Sequence, residues 1–156
     1  MRFFSKKKPA DIAKPITNPK LKDGIVLFKK NKTEETLKLI IDSIKQASLL
    51  VLIYKDGLIT SNNGENNMTF EVGSQIKFLY IVDKDNNPFL PVFTDWEEVD
   101  LWVKSRDNIA GWVMPAKEIF DFVCKQQSYK GIVINPASNS WTMQLEQIKL
   151  FVEENY

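Results

Sequence analysis

The sequence contains no histidine and only one cysteine, Cys124. Histidine is the commonest general base near neutral pH and the commonest metal ligand. Its absence therefore argues against an acid–base catalytic site and against a metal site. A single thiol without histidine cannot form an internal disulfide, a structural zinc site or a Cys–His nucleophile pair. We therefore identify no catalytic residues, expect no bound metal, and favour a non-enzymatic protein.

Glycine is also scarce, with six residues in a chain of 156. None of them forms a phosphate-cradling run such as GxxxxGK[ST] or GxGxxG, so no cofactor is expected. The sequence that starts at Asp83 resembles the opening of a calcium loop, but Pro88 and Thr94 stand where such a loop needs glycine and glutamate. We predict a plain hairpin loop there.

Long apolar runs are absent as well. The longest ones, Leu49 to Tyr54 and Phe78 to Val82, are strand-sized and far short of the roughly 18–20 residues of a membrane span. The N-terminus has no apolar core of about 7–15 residues of the kind that signal peptides carry. We therefore expect a cytoplasmic protein with no transmembrane segment.

Charge is unevenly distributed along the chain. Residues 1–32 contain ten lysines and arginines against two acids, whereas residues 33–156 contain eleven against eighteen. Residues 1–17 show no helical or alternating apolar period, which is typical of flexible chain. We predict a flexible basic leader over residues 1–17 and one domain over residues 18–156, the size of a single folding unit.

The leader also suggests an alternative function. The segment Arg2 to Lys8 combines two phenylalanines with a basic cluster, as segments that associate with membranes or nucleic acids do. However, no predicted strand alternates aromatic residues with lysine and arginine, as a base-stacking surface would. We therefore expect no specific nucleic-acid binding and keep peripheral membrane or nucleic-acid association as an alternative.

The periodicity of the apolar residues predicts the fold class. Thr33 is a good N-cap for a helix that places Leu37, Ile40, Ile41 and Ile44 on one face. Continuous apolar runs predict buried strands, and strand and helix patterns alternate in the last third of the chain. The predicted fold is a single compact α/β domain with a mixed β-sheet, in which an antiparallel hairpin is followed by βαβαβα parallel crossovers. The predicted strands are Leu49–Tyr54, Met68–Val72, Phe78–Val82, Phe89–Phe93, Gly111–Met114 and Gly131–Ile134.

The carboxyl ends of the three late strands define a candidate binding edge. In open sheets with parallel crossovers, ligands bind outside these strand ends, where helix N-termini present amide donors. Thr94 starts a capping box with Glu97, and Ser138 or Ser140 is expected to cap the last helix. We expect this edge to bind a protein segment or a small anionic ligand. The candidate residues are Thr94, Asp95, Pro115, Asn135 and Pro136.

A hydrolase that uses carboxylates alone is the second alternative. Asp95, Glu97, Glu98 and Asp100 cluster at the start of one predicted helix. Such an enzyme needs two acids that converge in a cleft, whereas acids in a first helical turn are also what the helix dipole favours. We therefore assign these acids to capping and solvation.

Five segments carry a resemblance to a known family: Pro88–Val99, Val113–Pro115, Glu118–Phe120, Tyr129–Pro136 and the opening from Asn18 to Leu21. In their order and spacing they resemble the SseB (enhanced serine sensitivity) family N-terminal domain. The resemblance spans about residues 18–156. It implies a compact α/β domain of unknown function in the bacterial cytoplasm, with no established catalytic residues, and a second C-terminal domain in longer relatives. The active-site cysteine loop of a sulfurtransferase is lacking.

Overall fold

The computed structural model of the chain describes residues 9–10, 16–56, 60–62, 68–70 and 76–156. Most of the predicted leader, residues 1–17, lies outside these ranges. The helices are α1 (Pro19–Lys30), α2 (Glu34–Lys45), α3 (Trp96–Trp102), α4 (Ala116–Gln126) and α5 (Leu145–Asn155). The strands are β1 (Pro9–Ala10), β2 (Ser48–Tyr54), β3 (Thr60–Asn62), β4 (Met68–Phe70), β5 (Ile81–Val82), β6 (Pro88–Phe93), β7 (Ile109–Pro115), β8 (Gly131–Ile134) and β9 (Trp141–Gln144).

The strands form one large mixed sheet and one small sheet. In the large sheet the order is β7-β2-β6-β8-β9, and β5 pairs with β6; the small sheet has the order β1-β4-β3. Strand β2 is antiparallel to both β6 and β7, whereas β6 and β8 are parallel. The predicted mixed α/β fold with an antiparallel hairpin and later parallel crossovers is confirmed.

Strand β2 lies at the centre of the core and is buried on both faces, as its continuous apolar sequence predicts. Leu49, Val51 and Ile53 pack with residues of α1, α2, α4 and α5 in the larger apolar cluster. Leu50 and Leu52 point to the opposite face, where they pack in a smaller cluster with Val99 of α3. The sheet therefore has four helices on one face and α3 on the other.

The N-terminal helices form a tightly packed pair. Thr33 caps α2 by accepting a hydrogen bond from the amide of Thr36, whose hydroxyl in turn accepts from the amide of Thr33. This reciprocal arrangement satisfies two amides that a helix N-terminus leaves unpaired. Gly24 of α1 lies against Ile40 of α2, where a Cβ atom would make an ordinary contact of 3.4 Å.

The loop between β5 and β6 is a hairpin turn, as predicted. Val82 pairs with Pro88 across it, and Asn86 adopts a positive φ of 63°. The carboxylate of Asp83 accepts hydrogen bonds from the amides of Asn87 and Asp85 and from the side-chain amide of Asn87. These donors stabilise the charged form, so the pKa of Asp83 lies below its usual value.

Calcium should leave this hairpin unchanged. The carboxylate of Asp83 is already satisfied by the turn, Pro88 stands where a calcium loop needs glycine for its sharp turn, and Thr94 replaces the bidentate glutamate. In an amide NMR titration we expect no saturable shift for residues 83–88 at micromolar calcium. Magnesium serves as the matched ionic control, and a saturable response to calcium alone would contradict this interpretation.

One predicted strand differs from the structure, and the observed strands β1, β3 and β9 are absent from the prediction. The run Phe78–Val82 was expected to be a buried strand, yet only Ile81–Val82 pairs with β6, and Tyr80 is 62% exposed. Its first residues instead run beside the end of β2, where the amide of Leu79 donates to the carbonyl of Leu52 at 3.0 Å. Strand β9 was not predicted at all.

The described part of the chain contains no helix with both the length and the apolar character needed to cross a lipid bilayer.

Candidate functional site

The strand ends at which we expect a binding site lie together at one edge of the large sheet. Because β6 and β7 are both antiparallel to β2, and β6 is parallel to β8, the three strands run in the same direction. Their carboxyl ends, at Phe93, Pro115 and Ile134, therefore lie at one edge of the sheet. The first residues of β2 also lie at this edge, since Ser48 pairs with Pro115.

Thr94 and Asn135 contact each other directly at the ends of β6 and β8. The side-chain oxygen Oδ1 of Asn135 accepts from the backbone amide of Thr94 at 3.0 Å, and Asn135 Nδ2 donates to the Thr94 hydroxyl at 3.0 Å. Asn135 has a positive φ of 51°, a conformation that asparagine tolerates better than most residues. Thr94 is fully buried and Asn135 nearly so, so these bonds are shielded from water.

Two carboxylates extend this network onto α3. Asp95 is the N-cap of α3, and its Oδ1 accepts from the amide of Glu98 at 3.0 Å. Lys22 of α1 lies between the acids, with Nζ 3.1 Å from Asp95 Oδ2 and 3.3 Å from Glu98 Oε1. Glu98 Oε2 also accepts from the hydroxyl of Ser138 at 2.6 Å. The buried acids thus tie α1, α3 and the turn after β8 together.

Asn18, at the start of α1, completes the network. Its Nδ2 donates to the carbonyl oxygens of Ser48 at 2.9 Å and Thr94 at 2.7 Å. The side chain therefore holds α1 against both β2 and β6. We call the set of Asn18, Lys22, Thr94, Asp95, Glu98, Asn135 and Ser138 the edge network.

Three of the five predicted site residues belong to the edge network, and the other two lie beside it. Thr94, Asp95 and Asn135 belong to the edge network. Pro115 lies at the same edge beyond β2, and Pro136 follows Asn135 as a half-buried residue of the turn. Sequence reasoning missed Asn18, Lys22, Glu98 and Ser138. Their partners lie far away along the chain, and Glu98 itself was assigned to capping and solvation.

The predicted helix caps at this edge were wrong in two cases. Asp95, not Thr94, caps α3. Its carboxylate accepts a hydrogen bond from the amide of Glu98 rather than that of Glu97. No helix starts directly after Asn135, because residues 141–144 form β9, antiparallel to β8. Helix α5 consequently begins at Leu145, at the opposite edge of the sheet, and Gln144 rather than Ser138 or Ser140 is its N-cap.

A cavity of about 540 Å³ opens beside the edge network, between the start of α1 and the last turns of α2. This volume lies within the range typical of ligand sites. Asn18 lines the cavity and also belongs to the edge network. Ala47, another lining residue, is held at the start of α4, because its carbonyl accepts a hydrogen bond from the amide of Ala116. We call it the edge cavity. Its lining residues are Thr17, Asn18, Pro19, Lys20, Leu21, Leu39, Asp42, Ser43, Gln46 and Ala47.

Two residues of opposite charge line the edge cavity. Lys20 contributes from α1 and Asp42 from α2. Within the described ranges, neither residue forms an ion pair with the other or with a third residue. The apolar part of the lining includes Leu39, which is 46% exposed. The cavity therefore presents a cation, an anion and apolar surface together.

The edge network itself offers little reactivity. All four carboxylate oxygens of Asp95 and Glu98 accept hydrogen bonds or contact Lys22. Burial raises the pKa of the Cys124 thiol, which disfavours the nucleophilic thiolate. The described residues contain no group of three or more acids and cysteines that could hold a metal ion. The arrangement is suited to holding elements in place.

Lys22 should be the strongest electrostatic contributor in the edge network. Burial tends to lower its pKa, but the hydrogen bonds and charges of Asp95 and Glu98 outweigh burial, and the pKa is raised. Lys22→Met should lower the free energy of unfolding by about 2 kcal/mol at pH 8, less than for a fully buried pair because the lysine side chain is 31% exposed.

The pH dependence of this loss follows from the sign of the shift. A raised pKa in the folded state means that the stabilisation is complete below about pH 10.4 and disappears as the pH rises through the folded value. Urea unfolding should therefore show the stabilities of the wild type and Lys22→Met converging as the pH rises above about 10.4, the ordinary pKa of lysine. Lys20→Met, on the same helix, is the matched control and should change stability little. A gap that persists at high pH would contradict the electrostatic assignment.

Comparison with known proteins identifies one family model, described as the SseB protein N-terminal domain, which matches residues 21–149. The matched range includes most of the edge network and of the edge cavity, from Leu21 onward. No curated protein and no solved structure matches the chain.

Proposed function

The chain belongs to the SseB protein N-terminal domain family, and on that premise we propose that it is a non-catalytic binding module. Its ligand would be a short segment of a partner protein, held in the edge cavity. The observation that carries the proposal is that Lys20, Asp42 and apolar side chains line one cavity of about 540 Å³. Cavities of this kind combine apolar contact with a few polar groups that fix orientation.

The edge network supports this proposal by making the cavity wall rigid. Asn18 bonds two strands, and Lys22, one turn further along α1, contacts both buried acids. A wall that is already ordered loses little conformational entropy when a ligand binds. In this proposal Thr94, Asp95 and Asn135 position the wall, while Lys20, Leu39 and Asp42 contact the partner.

The charges favour a protein segment over a small anion. An anion near Lys20 would also approach the carboxylate of Asp42, which opposes its binding. A polypeptide can offer an acid to Lys20, a base to Asp42 and an apolar side chain to Leu39 at once. Such complementarity supplies specificity as well as affinity.

The two alternative functions receive less support. A carboxylate hydrolase would need accessible acids, whereas Asp95 and Glu98 converge on Lys22 and are mostly buried. Peripheral association through the basic leader depends on residues that lie largely outside the described ranges. For location we propose the bacterial cytoplasm, based on the single cysteine and the family resemblance.

Site-specific photocrosslinking in native cells tests the proposal. A photoreactive phenylalanine analogue at Leu39 should capture one partner through a single mapped peptide. The same analogue at Leu101, which is 62% exposed on α3, is the matched control and should not capture it. Lys20→Glu with Asp42→Lys should reduce the Leu39 adduct at least about fivefold, because the charges facing the partner are exchanged.

The purified partner segment should then bind the purified chain with the same dependence on Lys20 and Asp42. Equal capture from Leu39 and Leu101, or binding that ignores the exchanged charges, would refute the proposed site. Lys55→Gln, at the opposite edge of the sheet, provides a charge change that should leave binding unaffected.

A further inference from the structure

A second opening lies on the other flank of α2, away from the edge cavity. It has a volume of about 320 Å³ and runs between α2 and α5, with the first residues of β9 at its floor. We call it the α2–α5 groove. Its lining residues are Leu37, Ile40, Ile41, Ile44, Trp141, Thr142, Met143, Gln147, Leu150, Phe151, Glu154 and Asn155.

The walls of the groove have the periodicity of two facing helices. On α2 the lining residues fall at positions 37, 40, 41 and 44, and on α5 at positions 147, 150, 151 and 154. Both rows follow the i, i+3, i+4, i+7 pattern of one helix face and extend about 10 Å. The hydroxyl of Tyr156 donates to the carbonyl of Lys45 at 3.3 Å, which closes one end. The groove therefore matches about two turns of a third helix.

The surface of the groove is apolar and carries charge of one sign. Leu150 is 53% exposed there, and Leu37, Ile41 and Trp141 are half-buried. Among the described residues, Glu154 is the only charged one in the lining, so none of them brings a lysine or arginine to the groove. Charge complementarity therefore favours a cationic occupant.

We propose that the α2–α5 groove binds an amphipathic helical segment of a partner protein that carries apolar residues on one face and lysine or arginine beside it. The apolar face covers Leu150, Ile41 and Trp141, and a basic side chain pairs with Glu154. This mode of recognition places i, i+3, i+4 and i+7 anchors in a hydrophobic groove. The proposal does not depend on the edge cavity, since the two sites lie on opposite flanks of α2.

The test uses the full chain and a labelled 14-residue helical peptide made of leucine and lysine. Fluorescence anisotropy should give a micromolar Kd, at least about tenfold tighter than that of the same peptide with glutamate in place of lysine. Leu150→Asn should weaken binding at least about fivefold, as loss of a central apolar contact does. Glu154→Gln should weaken it two- to threefold at low salt, roughly as expected for one exposed ion pair.

Matched controls separate binding at this site from general adhesion of the peptide to the protein surface. Leu101→Asn removes a leucine that is 62% exposed on α3, and Glu153→Gln removes the neighbouring acid of α5 that does not line the groove. Both should leave Kd unchanged. The indole NH resonance of Trp141, assigned with Trp141→Phe, should shift on peptide addition, and this shift should be absent in Leu150→Asn.

Four results would overturn the proposal. They are equal loss of binding in Leu101→Asn, equal affinity for the glutamate peptide, an unshifted Trp141 resonance, and a Kd weaker than about 1 mM. A concentration-dependent dimer that Leu150→Asn abolishes would assign the groove to a second copy of the chain. Binding of anilinonaphthalene sulfonate that the lysine peptide does not displace would assign it to a small apolar molecule.

Discussion

Gly131→Ala should destabilise the protein by at least about 3 kcal/mol, among the larger effects of any single substitution in the described residues. Gly131 begins β8 with a φ of 156°, and a Cβ there would lie 2.0 Å from the carbonyl oxygen of Met143 in β9. The obstructing atom is backbone, so no side chain can rotate away. The β8–β9 pairing would have to open, and with it the support of α5.

Gly24→Ala is the matched control for this substitution. Gly24 lies inside α1, and the added Cβ would make only ordinary contacts, the shortest being 3.4 Å to the side chain of Ile40. Since alanine favours helices by about 1 kcal/mol over glycine, Gly24→Ala should be neutral or stabilising. Urea unfolding measures both variants. Near-equal stability of the two would show that β8 and β9 do not pair as described.

Asn135→Ala is expected to cost about 3 kcal/mol, because two penalties add. The buried amide of Thr94 loses its acceptor, at roughly 1–3 kcal/mol, and alanine at a φ of 51° costs a further 1–2 kcal/mol or so. Asn135→Gly removes the same hydrogen bonds but not the backbone freedom. It should therefore be about 1 kcal/mol less destabilising than the alanine variant.

Asn139→Ala is the control for Asn135, because Asn139 is an exposed residue of the same turn. It should leave the unfolding midpoint within a degree or two, as surface substitutions usually do. If Asn135→Gly is as harmful as Asn135→Ala, the positive φ contributes nothing. If both are neutral, the contact between Thr94 and Asn135 is not stabilising the edge.

Elements with a strong apolar period could be predicted from the sequence. Helix α2 has a capping threonine and a complete apolar stripe, and β2 is apolar at successive positions, so local pattern and tertiary burial agree. Strand β9 was missed because Trp141–Gln144 is short and alternates only weakly, so its strand character depends on pairing with β8. Such tertiary dependence is common for strands.

Sequence reasoning brought part of the edge network together and missed the rest. Strand direction could be inferred from connection length, which placed Thr94, Asp95 and Asn135 together. The opposing side chains come from α1, and Lys22 lies more than seventy residues from Asp95 in the chain. Adjacent acids in a first turn are usually solvated, so nothing local distinguishes the buried Glu98 from the exposed Glu97.

The strand order also constrains how the chain folds during synthesis. The first partner of β2 in the large sheet, β6, follows it by about forty residues, and β8 must emerge before β6 gains its parallel neighbour. Translation proceeds at about 5–20 residues per second. Strand β2, which is apolar on both faces, is therefore exposed for seconds before β6 can pair with it. Helices α1 and α2 are the early local unit, because they pack together without any strand. Nascent chains that pause before residue 88 should therefore require chaperone protection, whereas those that have released residue 134 should not.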